Sequence, residues 1–372
     1  MGLDSLEIEL PPGVTVYFSG QEVRGYVRAV AGSEISCREI TVTLKGKAVV
    51  HWTERRNKRT YSYSNNELYT QTNLVLWNGA DANNKFPPGN HLFPFSFTLP
   101  SRLPTSFEGT SGKVIYTLKA VANIPWGIDH VEKLPIIVHN IYDLNLDPRS
   151  TQAISCSVVK TASYCCCFKT GPISFDISIP RSGYVPGEIM YVNGTIQNNC
   201  MTAVEYTEAK IIQNIMYRAT DKLKEEVNTV QRVYRPSIKP GRKDVWYHVP
   251  LPIPAVTPSA LEYCNIIDIT YKLKILAKLG ANRSPNVEFF IIIGSVALQP
   301  SQPGRAEPGV WLPAQNVNIA MPVPSAPEPS MALINDNPPS YPESEPPSYD
   351  DLLNRGAIDY NRREYVPEKF KQ

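Results

Sequence analysis

With 372 residues, 42% of them hydrophobic, the chain can bury two cores of ordinary size and still carry an extension. A net charge of +2 excludes an overall electrostatic drive toward nucleic acid or membrane, so partners have to be argued from local features. No apolar run approaches the roughly 20 residues that cross a bilayer, and MGLDSLEIEL lacks the basic start and apolar centre of a signal peptide, which predicts a soluble, intracellular protein.

Seven cysteines, an odd number without regular spacing, fit reduced thiols better than a disulfide framework. Gly2 and Ser5 approach a myristoylation signal, but its preferred hydroxyl position lies one residue later. The sequons at Asn193 and Asn282 matter only in a secreted chain.

From residue 6 to about 143, short alternating apolar segments (Val14–Phe18, Val23–Val30, Ile40–Val50, Leu92–Leu99, Val114–Ala122) are separated by turns at Gly13, Gly20, Gly89, Gly109 and Gly112. Period-two alternation with frequent turns predicts a sandwich of antiparallel sheets. Within it, Arg55-Arg-Asn-Lys-Arg59, followed by Tyr61 and Tyr63, reads as a basic hairpin loop. A solvated loop is its plainest reading, with acidic lipid, cargo or nucleic acid as other contacts it could make.

A second stretch, 172–299, repeats the style and some of the letters. Tyr17-Phe-Ser-Gly20-Gln-Glu-Val23 is answered by Tyr184-Val-Pro-Gly187-Glu-Ile-Met190, Pro104-Thr-Ser106 by Pro258 and Ser259, and Tyr116-Thr-Leu118-Lys119 by Tyr271-Lys-Leu273-Lys274. Order is kept in all three matches, which predicts two copies of one sandwich. The predicted organisation is therefore a first β-sandwich at 1–143, a linker or edge segment at 144–171, a second at 172–299 and a tail at 300–372. Thirteen prolines between 300 and 349, with ten acidic and six basic residues in the whole tail, predict a disordered segment there.

The body resembles the arrestin-domain proteins of the α-arrestin group over roughly 6–299. Val16-Tyr-Phe-Ser-Gly20, Leu44-Lys-Gly46, Gly89-Asn-His-Leu-Phe-Pro-Phe-Ser-Phe-Thr-Leu-Pro100 and Pro104-Thr-Ser-Phe-Glu-Gly109 carry the likeness in the first half. Gly183-Tyr-Val-Pro-Gly-Glu188, Gly194-Thr-Ile-Gln-Asn198 and Cys264-Asn-Ile-Ile-Asp-Ile-Thr-Tyr271 carry it in the second. The resemblance implies an all-β fold of two tandem immunoglobulin-like sandwiches, seven-stranded, joined by a short hinge. Its glycines are expected where turns need positive φ. The buried charged core of the visual arrestins has no counterpart that can be matched residue by residue. Nor does the Ile238–Trp246 stretch hold the reactive cysteine of the redox members.

Pro338-Pro-Ser-Tyr341 and Pro346-Pro-Ser-Tyr349 both fit the PPxY pattern read by WW domains. Consecutive prolines preset the polyproline II helix, and its three residues per turn return Tyr341 to the face of Pro338 and Tyr349 to that of Pro346, with Pro339 and Pro347 completing each ridge. The two tyrosines lie at most about 25 Å apart when extended, which allows tight bivalent docking. Tyr349-Asp-Asp-Leu352 also fits a tyrosine-based sorting signal for clathrin adaptors, sharing Tyr349 with the second motif.

Cys165, Cys166 and Cys167 cannot all face one ion on an extended chain, so they read as packed linker thiols, with palmitoylation as the modification they would accept. Five scattered histidines and the absence of a phosphate loop or nucleophile elbow argue against an enzyme, and no cofactor, metal or nucleic acid is expected. The resemblance implies an adaptor, cytoplasmic and peripheral to the plasma membrane and endosomes. It would bring a WW-domain HECT-type ubiquitin ligase to receptor or transporter cargo. Two other readings stay open: a regulator that captures WW-domain coactivators, and a retromer-like coat component.

Overall fold

The computed structural model describes residues 3–164, 168–280 and 284–299. Strands dominate this range, and helix is confined to the 3-10 turns Gly79–Ala82 and Leu144–Leu146. The first sandwich packs a three-stranded sheet, in the order Ser5–Glu9, Glu22–Ala31, Gly89–Thr98, against a six-stranded one. The larger sheet runs Val16–Phe18, His130–His139, Gly112–Asn123, Glu39–Arg56, Arg59–Asn78, with Phe107–Glu108 added to Gly112–Asn123. Alternation builds the interface between them. In Glu22–Ala31 the side chains of Val23, Val27, Ala29 and Ala31 point inward while Arg24 and Tyr26 face out. A fully buried valine or leucine of this kind contributes roughly 1.5–3 kcal/mol.

The second sandwich repeats the plan with sheets of four and five strands. Ile154–Tyr164, Phe168–Ile179, Ile189–Asn198 and Lys243–Pro252 form one. Gly183–Tyr184, Asn286–Ile293, Ile267–Lys278, Tyr206–Arg218 and Leu223–Arg235 form the other. Each sandwich thus pairs sheets totalling nine strands among the described residues, more than the seven the resemblance implies. The stretch 144–171 holds the edge strand Ile154–Tyr164 and the start of Phe168–Ile179.

The duplicated letters mark duplicated hydrogen bonds. Tyr17 and Tyr184 lie on short strands that pair in parallel with the last strand of their own sandwich, opposite Val138 and Ile293. Gly20 (φ +83°) and Gly187 (φ +91°) turn the chain next, and their N–H groups donate to Pro100 and Ile253. The side chains of Gln21 and Glu188 each accept from a backbone N–H three residues back, both at 2.9 Å. Ser106 grips Val138 through both its backbone N–H and its Oγ, and Ser259 grips Ile293 in the same way. This pairing sets Ser106 against Ser259, so Pro104 falls opposite Thr257 rather than Pro258.

Tyr116 and Tyr271, both fully buried, donate their hydroxyls to the carbonyls of those opposed residues, Pro104 at 2.7 Å and Thr257 at 2.6 Å. The bond ties the loop entering each sandwich's final hairpin to its core. Tyr116→Phe and Tyr271→Phe are each expected to cost about 1–2 kcal/mol by leaving a carbonyl without its donor. Urea titration of both variants checks this, and similar losses are expected in the two halves.

Candidate functional site

Two long hairpins form the seam between the sandwiches. Glu39–Arg56 and Arg59–Asn78, of 18 and 20 residues, extend past their own core toward Tyr206–Arg218 and Leu223–Arg235 of the second sandwich. Positive φ at both Asn57 (+48°) and Lys58 (+65°) closes the first hairpin as a two-residue turn of the kind that matches strand twist. The basic cluster therefore occupies a hairpin tip, with Arg55, Lys58 and Arg59 exposed and Arg56 paired to Glu54 at 3.0 Å.

Polar side chains reach across the seam along this hairpin. Lys222 binds Glu54 and lies 4.9 Å from the centre of the Tyr63 ring, which stacks on Trp52. The ammonium beside it holds the Glu54 carboxyl below the usual carboxylate range. Asn65 donates to the Arg218 carbonyl, and Thr220 to that of Ser64. Farther along, Glu67 accepts from both the backbone and the side chain of Asn265, at 3.0 and 2.7 Å.

Tyr217 is the buried centre of the seam. Its hydroxyl lies over Gly109, where a Cβ would overlap it, and its ring packs on Gly112, where a Cβ would meet both Val50 and the tyrosine. Its hydroxyl donates to Glu226 at 2.9 Å, and the same carboxylate accepts from Thr110 and Asn228. Those donors outweigh burial and hold the Glu226 carboxyl below its ordinary value, while burial pushes the Tyr217 phenol up. Neither glycine has positive φ. Close approach, rather than the expected turn geometry, is why these two positions are glycine.

Beside Tyr217, an open cavity of about 770 Å³ is lined by Ser106, Glu108, His139, Gln213, Glu226 and Pro258 among others. Burial lowers the affinity of His139 for a proton. Among the described residues no group of three or more histidine, cysteine or acidic side chains is placed to hold a metal. The arrangement is suited to noncovalent contacts.

The connector between the sandwiches is clasped by the far end of the second. Asp143 pairs with Val296, Ser295 bonds the backbone of Tyr142, and Asn145 reaches the Ala297 carbonyl. The Arg149 guanidinium then donates twice to Asp147, at 3.0 and 2.8 Å, its backbone N–H adds a third bond at 3.0 Å and the Tyr142 hydroxyl a fourth at 2.8 Å. The guanidinium and these hydrogen bonds hold Asp147 at about 2.

Pro338, Pro339, Tyr341, Pro346, Pro347, Tyr349 and Leu352 lie outside the described residues, as do Cys165, Cys166 and Cys167. Among residues the sequence reading passed over, Tyr217, Glu226 and Glu67 organise the seam. For Tyr217 and Glu226 the one written signal is the pair Gly109 and Gly112, and Glu67 has none.

Residues 6–145 match the family described as Arrestin (or S-antigen), N-terminal domain, and 169–298 match its C-terminal domain. The chain is 30% identical to Arrestin domain-containing protein 17 of Caenorhabditis elegans, with 79% of this chain and 71% of that protein aligned. It is 31% identical to human Arrestin domain-containing protein 1, over 86% of this chain and 70% of that protein. The chain belongs to the arrestin-domain family. Among the described residues of this arrestin-domain protein, no helix is long and apolar enough to cross a membrane. Membership supports a trafficking adaptor role in general.

In this arrestin-domain protein the Asp147 clasp links pH to stability. An unfolded aspartate titrates near ~3.9, so a folded value of about 2 adds stability above ~4 that is lost as pH falls through ~2. Asp147→Asn is expected to lower stability at neutral pH and to flatten the loss between pH ~4 and ~2. Unfolding midpoints across that range test it.

Proposed function

We propose that this arrestin-domain protein is a non-enzymatic adaptor whose tail recruits WW-domain HECT-type ubiquitin ligases to membrane receptor or transporter cargo. One observation carries the reading: Pro-Pro-Ser-Tyr is written twice within a proline-rich, acidic tail that follows two arrestin domains. Preset polyproline II geometry lowers the ordering cost of docking, and a second copy makes the second contact intramolecular. Ligase and cargo held on one chain raise the local concentration of acceptor lysines, leading to ubiquitination, endocytosis and endosomal sorting. Catalysis belongs to the ligase. Because Tyr349 serves both the second PPxY motif and the pattern ending at Leu352, clathrin adaptors and WW domains compete for it in this scheme.

Tyr341→Ala with Tyr349→Ala is expected to abolish recovery of WW-domain ligases in affinity capture, while the thermal unfolding of the body is unchanged. Tyr349→Ala alone is expected to weaken recovery by about tenfold or more through loss of avidity. Unaltered recovery by the double variant sinks the docking reading.

A further inference from the structure

The hairpin that joins Gly112–Asn123 to His130–His139 presents Trp126 fully to solvent, at 102% relative exposure, with Ile128 beside it at 90%. Gly127 donates its N–H to Ile124, closing a four-residue turn with Pro125 second and Trp126 third. Trp126 has φ +62°, where such a turn ordinarily takes glycine. Positive φ costs a bulky residue conformational energy. Asp129 fixes the turn by accepting from the Ile124 N–H at 3.0 Å, so the indole is held outward on a braced loop. Among the described residues no partner repays this display.

The outer face of the same hairpin carries an excess of positive charge, while Asp129 in its turn and Glu132 opposite Ala120 on its inner face are acidic. Lys119 and Lys133 are direct cross-strand partners, and like charges facing each other destabilise a sheet. Lys45, Lys47 and Lys113 share this outer face, and none of the five forms an ion pair with another described residue. The acids on the face, Glu39 and Glu108, stand at its two ends.

We infer that this hairpin is a membrane-contact element, with Trp126 and Ile128 entering the interfacial layer of a bilayer and Lys119 and Lys133 facing anionic headgroups. Shape favours lipid over a folded partner, because the apolar pair protrudes singly from a tip rather than lining a pocket or a flat patch. An indole suits the interface, apolar in its body and polar at its N–H. At strand rise the two lysines sit roughly 10–14 Å behind the strand ends Asn123 and His130, and the surface field of anionic lipid decays over ~8 Å. A sheet inclined to the membrane brings both within reach while the tip enters.

The test uses the full chain and vesicles of phosphatidylcholine, alone or mixed with phosphatidylserine, in co-sedimentation. These vesicles carry no WW domain or cargo, so the result bears on the hairpin and leaves the tail reading untouched. Wild type is expected to bind the mixed vesicles. Trp126→Ser with Ile128→Ser is expected to reduce binding about tenfold or more, and Lys119→Gln with Lys133→Gln to remove the gain from phosphatidylserine. Trp126→Gly separates lipid contact from folding: glycine relieves the positive φ, so this variant should melt no lower than wild type and still lose vesicle binding. Three results overturn the inference: wild type leaves both vesicle types unbound, the tip variants bind as wild type does, or the tip instead drives self-association that Trp126→Gly abolishes.

Discussion

Tyr217 against Gly109 and Gly112 is the contact on which the body depends. A tyrosine from the second sandwich occupies the space that a side chain at Gly109 would need and packs on Gly112 beside Val50, and its hydroxyl is spoken for by Glu226. Because that carboxylate also binds Thr110 of the first sandwich, packing and hydrogen bonding act on one point. Buried groups of the two halves accordingly form one continuous cluster. The seam gains direction from polar bonds that have few alternative partners, whereas apolar contact alone would let the halves slide.

Much of each sandwich was legible because its signals are local. Alternation marks a strand wherever one face is buried, and the turns at Gly20 and Gly187 do need positive φ. The repeat survived as side chains with the same hydrogen-bonding task, so Tyr116 and Tyr271, or Ser106 and Ser259, kept their letters. The polar strand Arg59–Asn78 was harder to read. It lies at the edge of its sheet with many exposed side chains, so it shows little alternation and announces itself chiefly through the hairpin that precedes it.

Long-range contacts left weaker traces. A glycine kept for a turn and one kept for a neighbour are the same letter, and only the fold separates Gly20 from Gly109. Trp126 was equally silent, since Pro125-Trp126-Gly127 reads as an ordinary turn and an aromatic residue is by default assigned to a core. The short linear motifs of the tail sit at the opposite extreme. Their chemistry is contained in four consecutive residues, and no distant partner within the chain is needed to interpret them.

The clasp on the connector also orders events in time. Tyr142 and Asp143 find their partners at Ser295 and Val296, which leave the ribosome only after the whole second sandwich has been synthesised. The bonds inside the first sandwich span far less chain and need nothing beyond His139. Its core can therefore consolidate during translation, while the connector stays unclasped until the final strand of the body is in place. Closing so long a loop late is entropically inexpensive once both ends are anchored on folded sandwiches. The clasp thus fastens only on a chain whose second sandwich has been synthesised as far as Ala297.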